Sequence, residues 1–336
     1  MKDFVKATLS VLLILFSISA CTSPMPYQHA EGMTWGTTFH ITYSSNAPLD
    51  DSIKAVLSTI DNSLSPFNDK SLLSGINSGA TDSTDTFFRK VFSESVYINR
   101  ISGGAFDPTI APIIDLWGFG PKGAISATPT DAQIDSAMAY VGIDKCHINS
   151  DNRIVKKTPY TQFNFSAIAK GFGCDLLAQM LERNGVKNFI IEIGGEIVVR
   201  GTSPRKTPWR VMIDAPIPGN DTIIHEGMAV IEADSCAIAT SGNYRNYHSV
   251  DSTDIGHTMN PATGRPAKLD MLSVTIIAPT CMLADALATC CMAMPLDSAI
   301  QLINTIPNVE ALFVTPMGNE GKWMVHTTPG FPERSR

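Results

Sequence analysis

The 336-residue sequence contains no run of lysines or arginines, and its net charge is −7. A nucleic-acid partner is excluded, because phosphate backbones are held by clustered basic side chains. Seven cysteines are present, yet none forms a Cys-x-x-Cys pair and no Cys/His cluster has zinc spacing. Zinc ribbons and thioredoxin-type redox motifs are thereby excluded. The P-loop pattern GxxxxGK[ST] is missing, and so is GxGxxG followed by an acidic residue, so neither common phosphate-cradling fingerprint applies. No internal repeat and no low-complexity linker divides the chain. The one long apolar run, TLSVLLILFSIS, is shorter than the roughly 20 residues a membrane-spanning helix needs.

That run nevertheless has a reading. It follows the charged start MKDFVK and ends in the small residues ISA before Cys21. A charged start, a short apolar core and a small-residue end describe a secretory signal. The cysteine that follows resembles a bacterial lipobox, which implies cleavage before Cys21 and a lipid on its sulfur. Thr22 and Ser23 are not acidic, which points to outer-membrane sorting with the domain facing the periplasm. Residues 1–20 are then a signal peptide, 21–31 a lipidated tether and 32–331 the folded domain. Hydrophobic residues make up 44% and charged ones 17%, so the domain can build a sizeable core. Cys290 and Cys291 lie in an apolar helix-like run and read as buried thiols.

Periodicity places strands at 36–43, 153–157, 162–165, 188–193 and 196–201, and in WRVMIDA, MAVIEA, LSVTIIA, ALFVT and KWMVH. Helices are expected from Asp50 or Asp51 as a cap to Leu64, and over 85–101 up to Gly103-Gly104. Others run from the capping box of Thr130 and Gln133 to Gly142, over 172–184, through LADALATCC, and over 297–305. Strands and helices mix without a strict βαβ rhythm. The class is α+β, with meandering sheets and helices packed on them.

Four segments hold more glycine, proline, carboxylate and small polar residues than a plain core requires. In GGAFDPTIAPIIDLWGFGP (103–121), the Asp107 carboxylate either caps its own turn or holds a polar group of a ligand. In NFSAIAKGFG (164–173), Lys170 is either a solvated lysine at a helix start or a cation beside a small-residue loop suited to phosphate. In IATSGNYRNY and GHTMNPATGRP (238–266), His257 lies among turn residues and is a candidate base. In LADALATCC, Asp285 and Thr289 stand four residues apart, on one helical face. Asp285 either caps a helix that begins there or joins Thr289 at a ligand.

Taken in order, these landmarks resemble the ApbE family of flavin transferases, the FAD:protein FMN transferases once called thiamine biosynthesis lipoproteins. They are WGT (35–37), SLSPFNDKSLLSGIN (63–77), GGAFDPTIAPIIDLWGFG, SAIAKG, IEIGGEI, ATSGNY (239–244), GHTMNPATGRP and DALAT. The resemblance implies an ApbE-like, T-fold-related arrangement of mixed sheets with packed helices and an FAD cleft between subdomains. It implies transfer of FMN from FAD to a threonine hydroxyl of a target flavoprotein, through a phosphoester bond, with AMP released.

The same resemblance implies a divalent metal, Mg²⁺ with Mn²⁺ as the alternative, held by Asp285, Thr289 and the backbone carbonyl of Ala167. It places Trp35, Phe67, Ala105, Phe106, Asp107, Asn164, Lys170 and Met259 on FAD, with Lys170 near the phosphates and Ala105–Asp107 on the adenosine side. His257 would take the proton from the acceptor threonine. Departures are Trp35 where Met is frequent, Phe67 for Tyr or Trp, Asn164 for Asp, and Asn260 for Asp. The implied partners are flavin-bearing subunits of membrane redox complexes, such as Na⁺-pumping quinone reductases, and periplasmic FMN-binding domains. The rival functions are an FAD pyrophosphatase giving FMN and AMP, a non-catalytic FAD-binding lipoprotein, and a structural lipoprotein.

Overall fold

A computed structural model describes residues 25–216, 227–242, 247–250, 253–267, 271–318 and 322–335. Cys21 and the signal segment lie outside the described residues, as do 243–246 of the ATSGNYRNY stretch.

An eight-stranded sheet forms the centre, in the order β1, β2, β5, β6, β9, β14, β15, β16. These strands are β1 Tyr27–Thr34, β2 Thr37–Ser44, β5 Phe189–Ile193, β6 Glu196–Arg200, β9 Ala237–Gly242, β14 Ser273–Ala278, β15 Glu310–Met317 and β16 Lys322–Thr327. Every neighbouring pair is antiparallel. Short hairpins complete the strands: β3 Cys146–Ile148 with β4 Ile154–Lys156, β7 Trp209–Asp214 with β8 Gly227–Ala233, β10 Tyr247–Val250 with β11 Thr253–Gly256, and β12 Met259–Asn260 with β13 Arg265–Pro266. Helices are α1 Asp50–Leu64, α2 Leu72–Ser78, α3 Thr86–Ile101, α4 Ala111–Leu116, α5 Asp131–Met138, α6 Ala169–Arg183, α7 Cys281–Met292 and α8 Leu296–Asn304. The mixed α+β class expected from the sequence is the class observed.

Both faces of the central sheet are buried. Successive side chains of a strand point to opposite faces. On β15, Ala311 and Phe313 therefore join the helical core with α7 and α8, while Leu312 and Val314 pack under the β7–β8 hairpin. On β6, Val198 joins the core of α1 and α6, and Val199 faces the hairpin. A sheet covered on both sides needs near-continuous apolar strands, and NFIIEI and LSVTIIA supply them.

Four local expectations are corrected. Residues 27–31 are not tether: Tyr27 pairs with Ser44, and β1 continues from there into the sheet. Asp50 and Asp51 do not cap α1; Leu49 holds the cap position and both acids lie in the first turn, where the helix dipole favours them. Residues 162–165 are not a strand. The Asn77 side chain accepts from the Phe163 N–H at 2.7 Å and donates to its carbonyl at 2.8 Å, so one amide stands in for a partner strand. The capping box at Thr130 is present, but its helix stops at Met138 rather than running to Gly142. Helices α2 and α4 were missed because seven and six residues show too little periodicity.

The start of α7 is capped twice. Thr280 accepts from the N–H of Leu283, and Asp175, reaching across from α6, accepts from the N–H groups of Cys281 and Met282 at 2.8 and 2.9 Å. Burial pushes the Asp175 carboxyl up from 3.8 to about 6, although both backbone donors pull it down. The folded chain then binds this proton more tightly than the unfolded chain. Its contribution to stability is complete below about pH 4 and is lost as pH rises through about 6. Thermal melts between pH 4 and 7 should record that loss, and Asp175→Asn, which cannot ionise, should record a smaller one. An unchanged slope in the variant would remove Asp175 as the source.

Candidate active site

The site is built where α6 crosses α7. The segment before α6 is held by two buried rings and a polar turn. Phe163 and Phe165 stack at 5.9 Å and meet Phe88 edge-on at 5.7 and 5.3 Å. The Asn164 side-chain oxygen accepts from the N–H of Ser166 at 2.8 Å. That leaves the amide –NH₂ as the group Asn164 offers outward, a donor that an aspartate would lack. Lys170 then occupies the first turn of α6. Helix α7 carries small and apolar residues on nearly every side, and all but two of its residues are buried. It can therefore be enclosed by sheet and helices together.

Gly171 lets the two helices touch. A Cβ placed on it would lie 2.2 Å from the carbonyl oxygen of Cys281 and 2.8 Å from the Cβ of Asp285. At this contact the Gly171 N–H donates to Asp285 Oδ2 at 2.9 Å. Asp285 is 1% exposed and lies in the second turn of α7, not at its start. It therefore does not cap its own helix; it caps the first turn of α6, whose orphan N–H groups need an acceptor. Its other oxygen, Oδ1, lies 3.7 Å from the Lys170 ammonium. Thr289 follows one turn later, with its hydroxyl 3.2 Å from that of Ser241 on β9.

Lys170 is shared between two acids. Its ammonium is 2.6 Å from Glu196 Oε1 on β6, a carboxylate 3% exposed. Glu196 Oε2 is buried and has no hydrogen-bond partner. Burial pulls the Lys170 ammonium down, but Asp285 and Glu196 outweigh it and hold it above the ordinary lysine range. Burial raises both carboxyls, with Lys170 opposing the shift at each. One ammonium cannot balance both acids when they are ionised, so a cation bound here would favour their ionised form over protonation. Among the described residues, no three His, Cys, Asp or Glu side chains gather into a metal cluster. A cation here would draw instead on Asp285, the hydroxyl of Thr289, backbone oxygen and the oxygens of a ligand. Such a set of hard oxygen donors suits Mg²⁺.

The cluster opens into a cavity of about 1240 Å³. That exceeds the roughly 300–1,000 Å³ of most small-molecule sites and suits a dinucleotide-sized ligand. All twelve residues singled out from the sequence for the site line it: Trp35, Phe67, Ala105, Phe106, Asp107, Asn164, Ala167, Lys170, His257, Met259, Asp285 and Thr289. Trp35 sits in the two-residue turn of the β1–β2 hairpin at φ +49°. Its ring fills the space that a side chain at position 173 would need, since a Cβ there would lie 2.5 Å from the indole. Its buried indole N–H has no partner. Phe67 is 64% exposed at the cavity's edge. The Asp107 carboxylate is engaged within the protein: Oδ1 accepts from the N–H and hydroxyl of Thr109, and Oδ2 from the N–H of Ile143. The turn-capping role is therefore present, on a residue that also lines the cavity. His257 lies edge-on to Phe119, ring centres 6.4 Å apart, and Met259 is buried beside Trp117.

Sequence reasoning passed over Glu196, Asp175 and Ser241. A signal for Glu196 was available: a glutamate one residue past the Gly194-Gly195 turn, on a strand of otherwise apolar inward residues, is a buried charge, and buried charges need a reason.

Fold and cleft together define an α+β protein with a large cavity over a buried floor that carries two acids and a lysine. The chain belongs to the ApbE family, whose sequence profile matches residues 35–313. It is 34% identical over 320 residues to an FAD:protein FMN transferase of Vibrio cholerae, covering 91% of this chain and 92% of that one. The solved structure of the flavin transferase ApbE from Vibrio cholerae superposes with a TM-score of 0.81 at 30% identity, over 92% of this chain and 99% of that one. An ApbE protein from Thermotoga maritima gives a TM-score of 0.79 at 25% identity, over 90% and 97%.

Gly171→Ala should cost about 1–3 kcal/mol in urea denaturation, because backbone rather than a flexible side chain blocks the added methyl. It should also weaken ligand binding, since the same methyl displaces Asp285. A variant of wild-type stability would show that the helices can separate without penalty.

Proposed function

We propose that the chain is an FAD:protein FMN transferase. FAD is the substrate, FMN passes to a threonine hydroxyl of an acceptor protein, and AMP leaves. The observation that carries this reading is the buried Asp285, with Thr289 one turn on and Lys170 beside it, at the floor of a dinucleotide-sized cavity. The similarity to the FAD:protein FMN transferase and the flavin transferase ApbE of Vibrio cholerae supports it.

The residues divide the work by chemistry. Lys170 stands where the pyrophosphate would lie, and its charge offsets phosphate oxygens. Asp285, Thr289 and the carbonyl of Ala167 would hold Mg²⁺. When bound, that ion neutralises pyrophosphate charge and the charge that grows on the leaving AMP. Trp35, Phe67, Phe106 and Met259 give apolar surface for the flavin and adenine rings, and the Asn164 amide gives a donor. His257 takes the proton of the acceptor hydroxyl as its oxygen attacks the phosphorus on the FMN side. One phosphorus–oxygen bond forms to threonine, the pyrophosphate bond breaks, and AMP carries away the bonding pair. Cys21 anchors the domain by lipid at the periplasmic face of the outer membrane, where flavin-bearing subunits of redox complexes or FMN-binding domains would be the acceptors.

The test uses the chain from Thr22 onward with FAD, Mg²⁺ and a purified FMN-binding acceptor domain. Flavin fluorescence should stay with the acceptor band in a denaturing gel and vanish with EDTA. AMP and free FMN without label would mean a pyrophosphatase; unconsumed FAD with any acceptor tried would reduce the protein to a binder.

Two variants examine the assignments. Asp285→Ala should abolish metal-dependent labelling while circular dichroism still reports a folded protein; retained labelling would sink the metal site. His257→Ala should slow labelling by about 10²–10⁴-fold, the range of a general base, with FAD affinity little changed. An unaltered rate would take the base role away from His257.

A further inference from the structure

The cluster at the cavity floor contains an asymmetry that the transfer reaction does not account for. Lys170 lies between two carboxylates, and the two are not equivalent. Asp285 has a second anchor, because its Oδ2 accepts from the Gly171 N–H at 2.9 Å. The Glu196 carboxylate accepts from its own backbone N–H and meets Lys170 at 2.6 Å, but its Oε2 is buried with no partner. A buried carboxylate with one oxygen left wholly unpartnered holds a nearby ammonium strongly, because nothing else offsets its desolvation. The lysine accordingly stands against Glu196 and 3.7 Å from Asp285 Oδ1, beyond hydrogen-bond reach.

We infer that Glu196 is a positioning residue that draws the Lys170 ammonium off Asp285, so that Asp285 Oδ1 stays open to a divalent cation. This rests on the metal site in the function proposed above. Without the Glu196 charge, the ammonium needs to move only about 1 Å to reach hydrogen-bond distance from Asp285 Oδ1. It would then be a resident cation in the place of the incoming one. Glu196 touches neither substrate nor reacting atoms in this account; it acts through Lys170.

A double-mutant cycle on Mn²⁺ affinity, measured by electron paramagnetic resonance with and without FAD, tests this. Glu196→Gln should weaken Mn²⁺ binding by about 10–100-fold, the range for partners that orient metal ligands. In a Lys170→Met background the same Glu196→Gln change should have no effect, because the competitor is gone. Equal weakening in both backgrounds would mean that Glu196 acts only as a distant charge, and the inference would fall. No weakening in either background would also overturn it.

Lys170→Met alone leaves two buried acids without a counter-charge and is the variant at risk of not folding. A crystal structure of metal-free Glu196→Gln in the Lys170 background therefore serves as the second test. The lysine nitrogen should be found within hydrogen-bond distance of Asp285 Oδ1, and a nitrogen still at residue 196 would overturn the inference. Wild-type protein that binds no Mn²⁺ under either condition would instead remove the metal site from the functional reading. That outcome is separate from the lysine's position in the crystal.

Discussion

The contact of α6 with α7 at Gly171 is the constraint on which the rest of the site depends. One hydrogen bond, from the Gly171 N–H to Asp285, is made where the helices touch with no room for a methyl group. It sets the direction of the carboxylate and the start of α6, and through that start the place of Lys170. Two residues further along the same helix, the missing side chain of Gly173 admits the Trp35 ring, so one short stretch positions both the charged floor and an apolar wall. On the far side of the crossing, Asp175 on α6 caps the first turn of α7. Each helix is thus capped by an aspartate from the other, and neither can be moved alone.

The charge arrangement has no good account as a stabilising device. A buried ammonium flanked by carboxylates gains about as much in attraction as it loses in desolvation, and burying a second acid only adds to the cost. Apolar residues of similar volume would fit this region at no penalty. That Lys170, Glu196 and Asp285 stand there instead, at the end of a large cavity, is the usual mark of groups held ready for a ligand of opposite charge.

Much of this was legible in the chain itself. Strands such as 188–193 carry apolar runs bounded by turns, and the box of Thr130 and Gln133 is written in four residues. The site residues could be named because their landmarks occur in a family's order, and the fold brings all of them to one cavity. What escaped was non-local. Asn77 acting as a strand partner to Phe163 spans 86 positions, and no window on the sequence contains both. Asp285 looked like a cap for its own helix because spacing reports only local geometry; it caps a helix 114 positions away. Glu196 escaped because its partner Lys170 lies on a different element, and an acid at the start of a strand after a glycine turn reads locally as exposed.

The sheet buried on both faces has a consequence for how such a protein can diversify. On β6, β9, β14 and β15, residues of either parity are packed, so few positions on them can change without leaving a void or a clash. The framework is mutationally closed. Freedom to accept a different ligand or a different protein surface belongs to the cavity's margins, such as the exposed Phe67, the glycines before Ala105 and the turns around His257. Variation there can redraw what enters the cavity while the floor, locked between its two helices, keeps a single chemistry.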